Sequence, residues 1–306
     1  MLLNGFRMFI AKSPLMRMAA HMRRLAVLAV ASVVLAGCSG LDVLNLVGSD
    51  HAHKVEGTVA YGEGARQKLD ILTPKDFGNA ATRPVVIFLY GGGWTAGGRQ
   101  DYRFAGAALV KLGYVAVIPD YRLYPEVKFP VFMDDAAQAL AWVHANIYRY
   151  GGDPQKIFVM GHSAGGHMAA LLALDPTYTR AAGLPDNAIK GMIGLAGPYA
   201  MVPSQVDNVR DVFAGTPDEE SARPVHFANT SAPPMLLLYG LDDKTVARQN
   251  APQLADILRR AGRDVTVKEY PDVGHPGIVL ALSPLFARRA PVLTDTQAFI
   301  RRVAGE

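Results

Sequence analysis

The run Ile157-Phe158-Val159-Met160-Gly161-His162-Ser163-Ala164-Gly165, continuing through Met168-Ala169-Ala170-Leu171-Leu172, decides the reading of this chain. Ile157 to Met160 is a short apolar strand, and Ala164 to Leu174 has the composition and length of a helix. A strand that turns at once into a helix forces the residue at the tip, Ser163, into a strained backbone conformation. Gly161 and Gly165, two places either side, remove the side chains that would collide there. The Ser163 hydroxyl is thereby presented above the carboxyl edge of a sheet, facing the amino end of the helix. G-x-S-x-G alone is common, but between a strand and a helix it marks a reactive serine.

The flanking sequence repeats the same rhythm. Val55 to Tyr61 and Lys68 to Leu72 read as an opening hairpin, and Val85 to Tyr90 as a buried strand bounded by Pro84 and Gly91. Tyr102 to Leu112 has helical spacing and precedes a strand at Val115 to Pro119. Phe132 to Tyr150 is an amphipathic helix with Ala136, Leu140, Val143 and Ile147 on its apolar face. Strands at Met192 to Ala196, Met235 to Tyr239 and Val265 to Tyr270 follow, with helices at Ala247 to Ala261 and Val292 to Val303. Short apolar strands alternating with helices predict an α/β fold, a mostly parallel sheet covered on both faces. Pro198 to Pro234 breaks the rhythm and is expected to make a small excursion over the carboxyl edge.

A serine hydroxyl needs a base to become a nucleophile, and its attack on a carbonyl creates an oxyanion that needs donors. Tyr90-Gly91-Gly92-Gly93-Trp94 directly follows a strand, and its glycines let backbone N–H groups converge on one point. Gly92, Gly93 and Ala164 are the expected donors, with Gly91 as an alternative for one of them. No Lys-Ser or Lys-Thr follows the glycines, which argues against a phosphate loop. Of the eight histidines, only His275 lies beyond the last predicted core strand, in Asp272-Val273-Gly274-His275-Pro276-Gly277, read as a loop. His226, in the excursion, is its one rival as base. The orienting carboxylate belongs after the strand ending at Tyr239, where Asp242 and Asp243 both stand.

Taken together, these residues resemble the esterase/lipase branch of the α/β-hydrolase fold, which includes hormone-sensitive-lipase-like carboxylesterases, kynurenine formamidases and prenylcysteine methylesterases. The resemblance spans about Val55 to Val303. Beyond the serine turn it rests on Tyr90 to Trp94, on Asp120-Tyr121-Arg122-Leu123 with Pro125 and Phe129-Pro130, and on Asp134-Asp135. Tyr150-Gly151-Gly152-Asp153-Pro154, Pro233-Pro234 and Gly274-His275 complete it. The G-x-x-D-x-x-V spacing from Gly240 to Val246 selects Asp243 over Asp242. The resemblance implies a triad of Ser163, Asp243 and His275 and two-step hydrolysis of carboxylic esters, with short acyl groups expected. Arylformamidase or other amide hydrolysis on the same triad is the alternative, and a non-catalytic binding lipoprotein a weaker one. Tyr90 departs from the family, which has a histidine there that holds the glycine loop. Trp94, Tyr121 and Phe129 read as packing residues, and Arg122 and Asp134 as members of structural ion pairs.

The first 37 residues read as an address. Met22-Arg23-Arg24 is a positive start, Leu25 to Leu35 is too short an apolar run to span a bilayer of about 30 Å as a helix, and Leu35-Ala36-Gly37-Cys38 resembles the bacterial lipoprotein box. That resemblance implies lipid on Cys38, the only cysteine of the chain, and so a membrane partner in the bacterial cell envelope. Ser39 after the cysteine favours the outer membrane or the periplasmic face. The expected organisation is a signal peptide over 1–37, an anchor and tether over 38–54, and a catalytic domain over 55–306. The formal charge of +4 is misleading: five basic residues precede Cys38, leaving 26 basic against 27 acidic residues beyond it. Such a balance gives no electrostatic reason to expect nucleic acid. No cofactor and no metal are expected, since neither a dinucleotide fingerprint nor a Cys/His ligand cluster is present.

Overall fold

The structure, a computed structural model, describes residues 44–45, 53–75, 82–229 and 231–306. Cys38 and the expected signal peptide over 1–37 lie outside the described residues. Eight strands form one sheet: β1 (His53–Ala60), β2 (Lys68–Pro74), β3 (Arg83–Leu89), β4 (Val115–Pro119), β5 (Gly152–His162), β6 (Gly191–Leu195), β7 (Met235–Gly240) and β8 (Val265–Tyr270). Their spatial order is β1-β2-β4-β3-β5-β6-β7-β8. The β1–β2 and β2–β4 pairs are antiparallel, and all other neighbours are parallel. Strands β4, β6 and β7 are buried at every residue, as expected for parallel strands covered on both faces. The edge strand β8 carries the polar Thr266, Lys268 and Glu269 and is largely accessible.

The helices are α1 (Arg103–Lys111), α2 (Val131–Asn146), α3 (Ala164–Leu174), α4 (Pro176–Ala181), α5 (Asn250–Arg260), α6 (His275–Leu280) and α7 (Val292–Ala304). From β3 the chain moves through α1 toward β2, then returns through α2 to place β5 on the opposite side of β3. Right-handed crossovers travelling in opposite directions put α1 on one face of the sheet and α2 and α3 on the other. The reversal creates a switch point between β3 and β5, and open α/β sheets bind ligands in the crevice at such a point. Ser163 follows the end of β5, and the glycine loop follows the end of β3, so both flank that crevice.

The expected strands and helices are present; α4 is an additional helix, α5 starts at Asn250 rather than Ala247, and further differences have plain physical causes. Strand β5 starts at Gly152 rather than Ile157, because Gly152 pairs with Arg83 ahead of a register shift in β3. The expected helix over Phe132–Tyr150 ends at Asn146 and tightens into a 3-10 turn over Ile147–Tyr150. The segment around His275 is a helix, α6, and not a loop: Gly274 is extended, and Pro276 stands in the first turn, where its missing N–H costs nothing. Within the expected tether, Leu44 is buried and Asn45 is fixed to the domain. The Asn45 amide donates to the carbonyl of Gln100 (2.8 Å), and its Oδ1 accepts the N–H of Phe104 (2.8 Å), so it caps α1 from outside the helix.

The excursion folds, among its described residues, as short 3-10 turns at Pro203–Gln205, Arg210–Val212, Glu219–Ala222 and Pro224–Phe227. It is seated on α3, where His167 Nε2 donates to the carbonyl of Ala222 (2.7 Å). Phe213 drives edge-on into Trp94 (ring centroids 5.0 Å apart) and packs against Phe129 (5.3 Å).

Candidate active site

Ser163 has φ 55° and ψ −121°. A left-handed φ in a non-glycine residue costs about 1–3 kcal/mol and persists only where its surroundings over-determine it. Here the Ser163 N–H donates to the carbonyl of Leu195 in β6 (2.9 Å), and its own carbonyl accepts from His167 (3.0 Å). The glycines of the motif permit the close approach: a Cβ on Gly161 would stand 2.1 Å from the Gly165 oxygen, and one on Gly165 would stand 2.0 Å from the Leu89 oxygen. Helix α3 is thus pressed against the end of β3.

The structure brings Ser163, His275 and Asp243 into one row. His275 Nε2 lies 2.8 Å from Ser163 Oγ, and His275 Nδ1 lies 2.8 Å from Asp243 Oδ2. The Asp243 side chain is only 2% exposed and that of His275 10%. Asp243 Oδ1 also accepts the N–H groups of Thr245 (2.8 Å) and Val246 (2.9 Å), so the carboxylate is fixed through both oxygens. Burial alone would raise its pKa, but the His275 hydrogen bond, those two N–H donors and the attraction of His275 hold it below the usual carboxylate range. Asp242 is exposed, and its N–H donates to the carbonyl of Val273, which ties the Asp243 turn to the chain leading into His275. His226 is half exposed and lies against Glu220, away from this row.

An imidazole held between a hydroxyl and a buried carboxylate can take the hydroxyl's proton while the carboxylate stays ionised. The carboxylate fixes the Nδ1–H tautomer, leaving the Nε2 lone pair to take the serine proton. The row opens onto a cleft of about 700 Å³ that Gly92, Gly93 and Ala164 also line. Gly92 (φ 133°) and Gly93 (φ 59°) adopt left-handed conformations, and the Gly92 carbonyl is engaged by the N–H groups of Thr95 and Ala96, both at 3.1 Å. Apolar Met201, Val202, Val206 and Val246 and the amides Gln205, Asn208, Gln249 and Gln253 form other parts of the wall.

The loop is pinned at both ends. The fully buried Tyr90 donates its hydroxyl to Asp120 Oδ1 (3.0 Å) and accepts from Arg66 Nη2 (2.8 Å), which also reaches the carbonyl of Gly97 at the loop's exit (2.7 Å). Its ring lies stacked between Tyr102 and Tyr121. Burial, reinforced by the Asp120 charge, pushes its pKa far up, so the hydroxyl stays a donor. Tyr90 therefore ties the loop to the β4 end through hydrogen bonds of its own. Asp120 in turn holds Arg99, and Arg99 and Arg103 bracket the buried Asp70. Trp94, Tyr121 and Phe129 are packed as expected. Arg122 makes a bidentate pair, but with Asp135.

Two residues with no role in the sequence reading stand beside the row. His162 bonds to the main chain of His275 and His167 to the excursion. Their one sequence signal is a polar ring within otherwise small or apolar runs, which shows no partner. Among the described residues no three His, Cys, Asp or Glu side chains gather as metal ligands, and no helix is long and apolar enough to cross a membrane.

The sheet order, the switch point and the strand–serine–helix turn define an α/β-hydrolase fold. The profile of the BD-FAE family matches residues 69–258, and the chain belongs to that family. This span contains Ser163 and Asp243 and ends before His275. The chain is 32% identical over 245 residues to the probable carboxylic ester hydrolase LipM of Mycobacterium tuberculosis, covering 74% of this chain and 56% of that one. It is 27% identical over 249 residues to the isoprenylcysteine alpha-carbonyl methylesterase ICME of Arabidopsis thaliana, covering 74% and 58%. The chain thus spans under three fifths of the length of these curated relatives. Among solved structures, an esterase of Pyrobaculum calidifontis superposes with a TM-score of 0.71 at 25% identity, covering 86% of this chain and 90% of that one.

Proposed function

We propose that this chain hydrolyses carboxylic esters through an acyl-enzyme on Ser163. The observation that carries the reading is the row Ser163–His275–Asp243, with both hydrogen bonds at 2.8 Å and its serine end open to the cleft. His275 takes the Ser163 proton as Oγ attacks the ester carbonyl, and Asp243 stabilises the imidazolium that forms. The N–H groups of Gly92, Gly93 and Ala164 receive the oxyanion, aided by the amino end of α3. The imidazolium protonates the departing alcohol. Water, deprotonated by His275, then releases the acid. Short acyl groups are the preferred class; what supports this is that Trp94, which ends the glycine loop and lines the cleft, is backed by the rings of Phe132 and Phe213.

The test is turnover of p-nitrophenyl esters of increasing acyl length. The expected kcat/KM is highest at two to four carbons and falls beyond. A steady rise toward long chains would overturn the short-acyl assignment. Turnover of formyl amides with no ester cleaved would move the reading to an amide hydrolase.

The same proposal puts the chain in the bacterial cell envelope, held by lipid on Cys38. It is supported by Cys38 being the only cysteine, at the box position behind a positive start and an apolar run. Labelled palmitate is expected to be incorporated into the wild-type chain and lost in Cys38→Ser; equal labelling of both would sink the anchor.

A further inference from the structure

We propose that His162 is a positioning residue for this reaction, fixing the main chain of His275 so that the His275 ring stays aligned between Ser163 and Asp243. The inference rests on the ester-hydrolase reading above. His162 is the last residue of β5 and immediately precedes Ser163 in the chain. The residue is 6% exposed, and its Nε2 lies 3.0 Å from the carbonyl oxygen of His275, 113 residues away. A carbonyl only accepts, so the proton of His162 is on Nε2 and Nε2–H donates. The strand end that carries the serine is therefore bonded directly to the backbone of the base. The two rings also lie 4.8 Å apart, tilted by 38°, so His162 supports His275 from beside it.

The other restraints on this stretch act on either side of His275: Ile278 and Val279 are buried further along α6, and main-chain bonds hold the approach to it. The Asp242 N–H holds the carbonyl of Val273, and the Leu241 N–H holds that of Tyr270. His275 itself opens the six-residue helix α6, and helices that short have little stability of their own. A side-chain donor at the His275 carbonyl supplies what the short helix does not.

The chemistry also explains why the donor is a histidine. Burial, and then the adjacent His275, push the His162 pKa down to about 3. His162 is thus neutral near pH 7. It holds the carbonyl without placing a second positive charge beside His275 at the moment His275 takes the serine proton. A lysine or arginine would make the same hydrogen bond and oppose that step. His162 touches neither Ser163 Oγ nor the Asp243 carboxylate in any hydrogen bond of the structure, so its action runs through His275.

That indirect action gives the test. His162→Ala, His162→Asn and His162→Gln are made in the wild-type chain and in a His275→Ala background, with kcat and KM measured on p-nitrophenyl acetate beside Ser163→Ala. Misplacing a catalytic group by about 1 Å costs up to ~100-fold. The expected loss in kcat for His162→Ala is therefore about 10- to 100-fold, with KM held within about twofold. Glutamine, whose amide reaches the same carbonyl, is expected to recover most of the rate, and asparagine, which is shorter, little of it. In the His275→Ala background the residual rate is expected to be the same with and without His162. Equal fractional losses in both backgrounds, or a wild-type kcat in His162→Ala, would overturn the proposal. If the alanine variant fails to fold, the asparagine and glutamine pair carries the same comparison. Full activity of Ser163→Ala would instead defeat the underlying ester-hydrolase reading.

Discussion

Ser163→Ala is expected to lower kcat on p-nitrophenyl esters by about 10⁵- to 10⁶-fold, the scale seen when the nucleophile of a serine triad is removed. The reason is local. Oγ is the only atom of Ser163 that faces His275 Nε2, and no other hydroxyl takes its place in the row. Alanine keeps the backbone strain at φ 55° unchanged in kind, since both residues carry a Cβ. The Leu195 and His167 main-chain bonds are untouched, so the fold and the cleft are retained. KM is expected to stay within about threefold, and a residual rate of roughly 10³-fold over water is expected from the donors and binding alone. Covalent labelling by a fluorophosphonate should vanish together with turnover. A variant keeping a tenth of wild-type activity would show that another group attacks the ester.

Asp243→Asn is the second large effect, an expected loss of about 10⁴-fold in kcat with modest change in KM. The amide is nearly isosteric with the carboxylate, so the effect is chemical. Asp243 Oδ1 accepts the N–H groups of Thr245 and Val246, and an asparagine must keep its oxygen on that side. Its NH₂ is then turned toward His275 Nδ1, which must become an acceptor. The imidazole proton moves to Nε2, facing Ser163, where a lone pair is needed. Activity is expected to rise with hydroxide concentration at alkaline pH. A loss under tenfold would refute the role of Asp243. Stability follows the same carboxylate. Its folded pKa is depressed, so its contribution is complete above the unfolded value near ~3.9 and is lost as pH falls through the lower folded value.

Much of the sheet was legible because parallel strands buried on both faces leave unbroken apolar runs. Val115–Pro119 has the bounds its sequence suggests, as do the helix Ala164–Leu174 and the more polar edge strand Val265–Tyr270. Strand β5 shows the limit: its polar start, from Gly152 to Lys156, is made strand by pairing across a bulge, which periodicity within one segment does not record. The residues of the hydrogen-bonded row were nameable from motif spacing and chain order. What stayed hidden was who bonds to whom. Arg122 with Asp135, Tyr90 with Arg66 and Asp120, and His162 with the His275 carbonyl are contacts between distant segments. Residue type shows that such groups need partners and does not choose among the available ones. Helix α6 was hidden for a related reason. Its six residues hold Pro276 and Gly277, which read as turn formers, and their helical state depends on packing under the sheet edge.

The crossing from β6 to β7 is made by separate 3-10 turns, while the other parallel crossings run through α-helices. Isolated turns lack the cooperative hydrogen-bond ladder of a long helix, and this crossing is held instead by buried side chains such as Val212, Phe213 and Ala222. Ser163 and Asp243 stand just after strand ends and His275 opens α6, while part of the cleft wall, around Met201 to Val209, belongs to this crossing. Substitutions in that wall are therefore expected to change what the cleft accepts without displacing Ser163, Asp243 or His275.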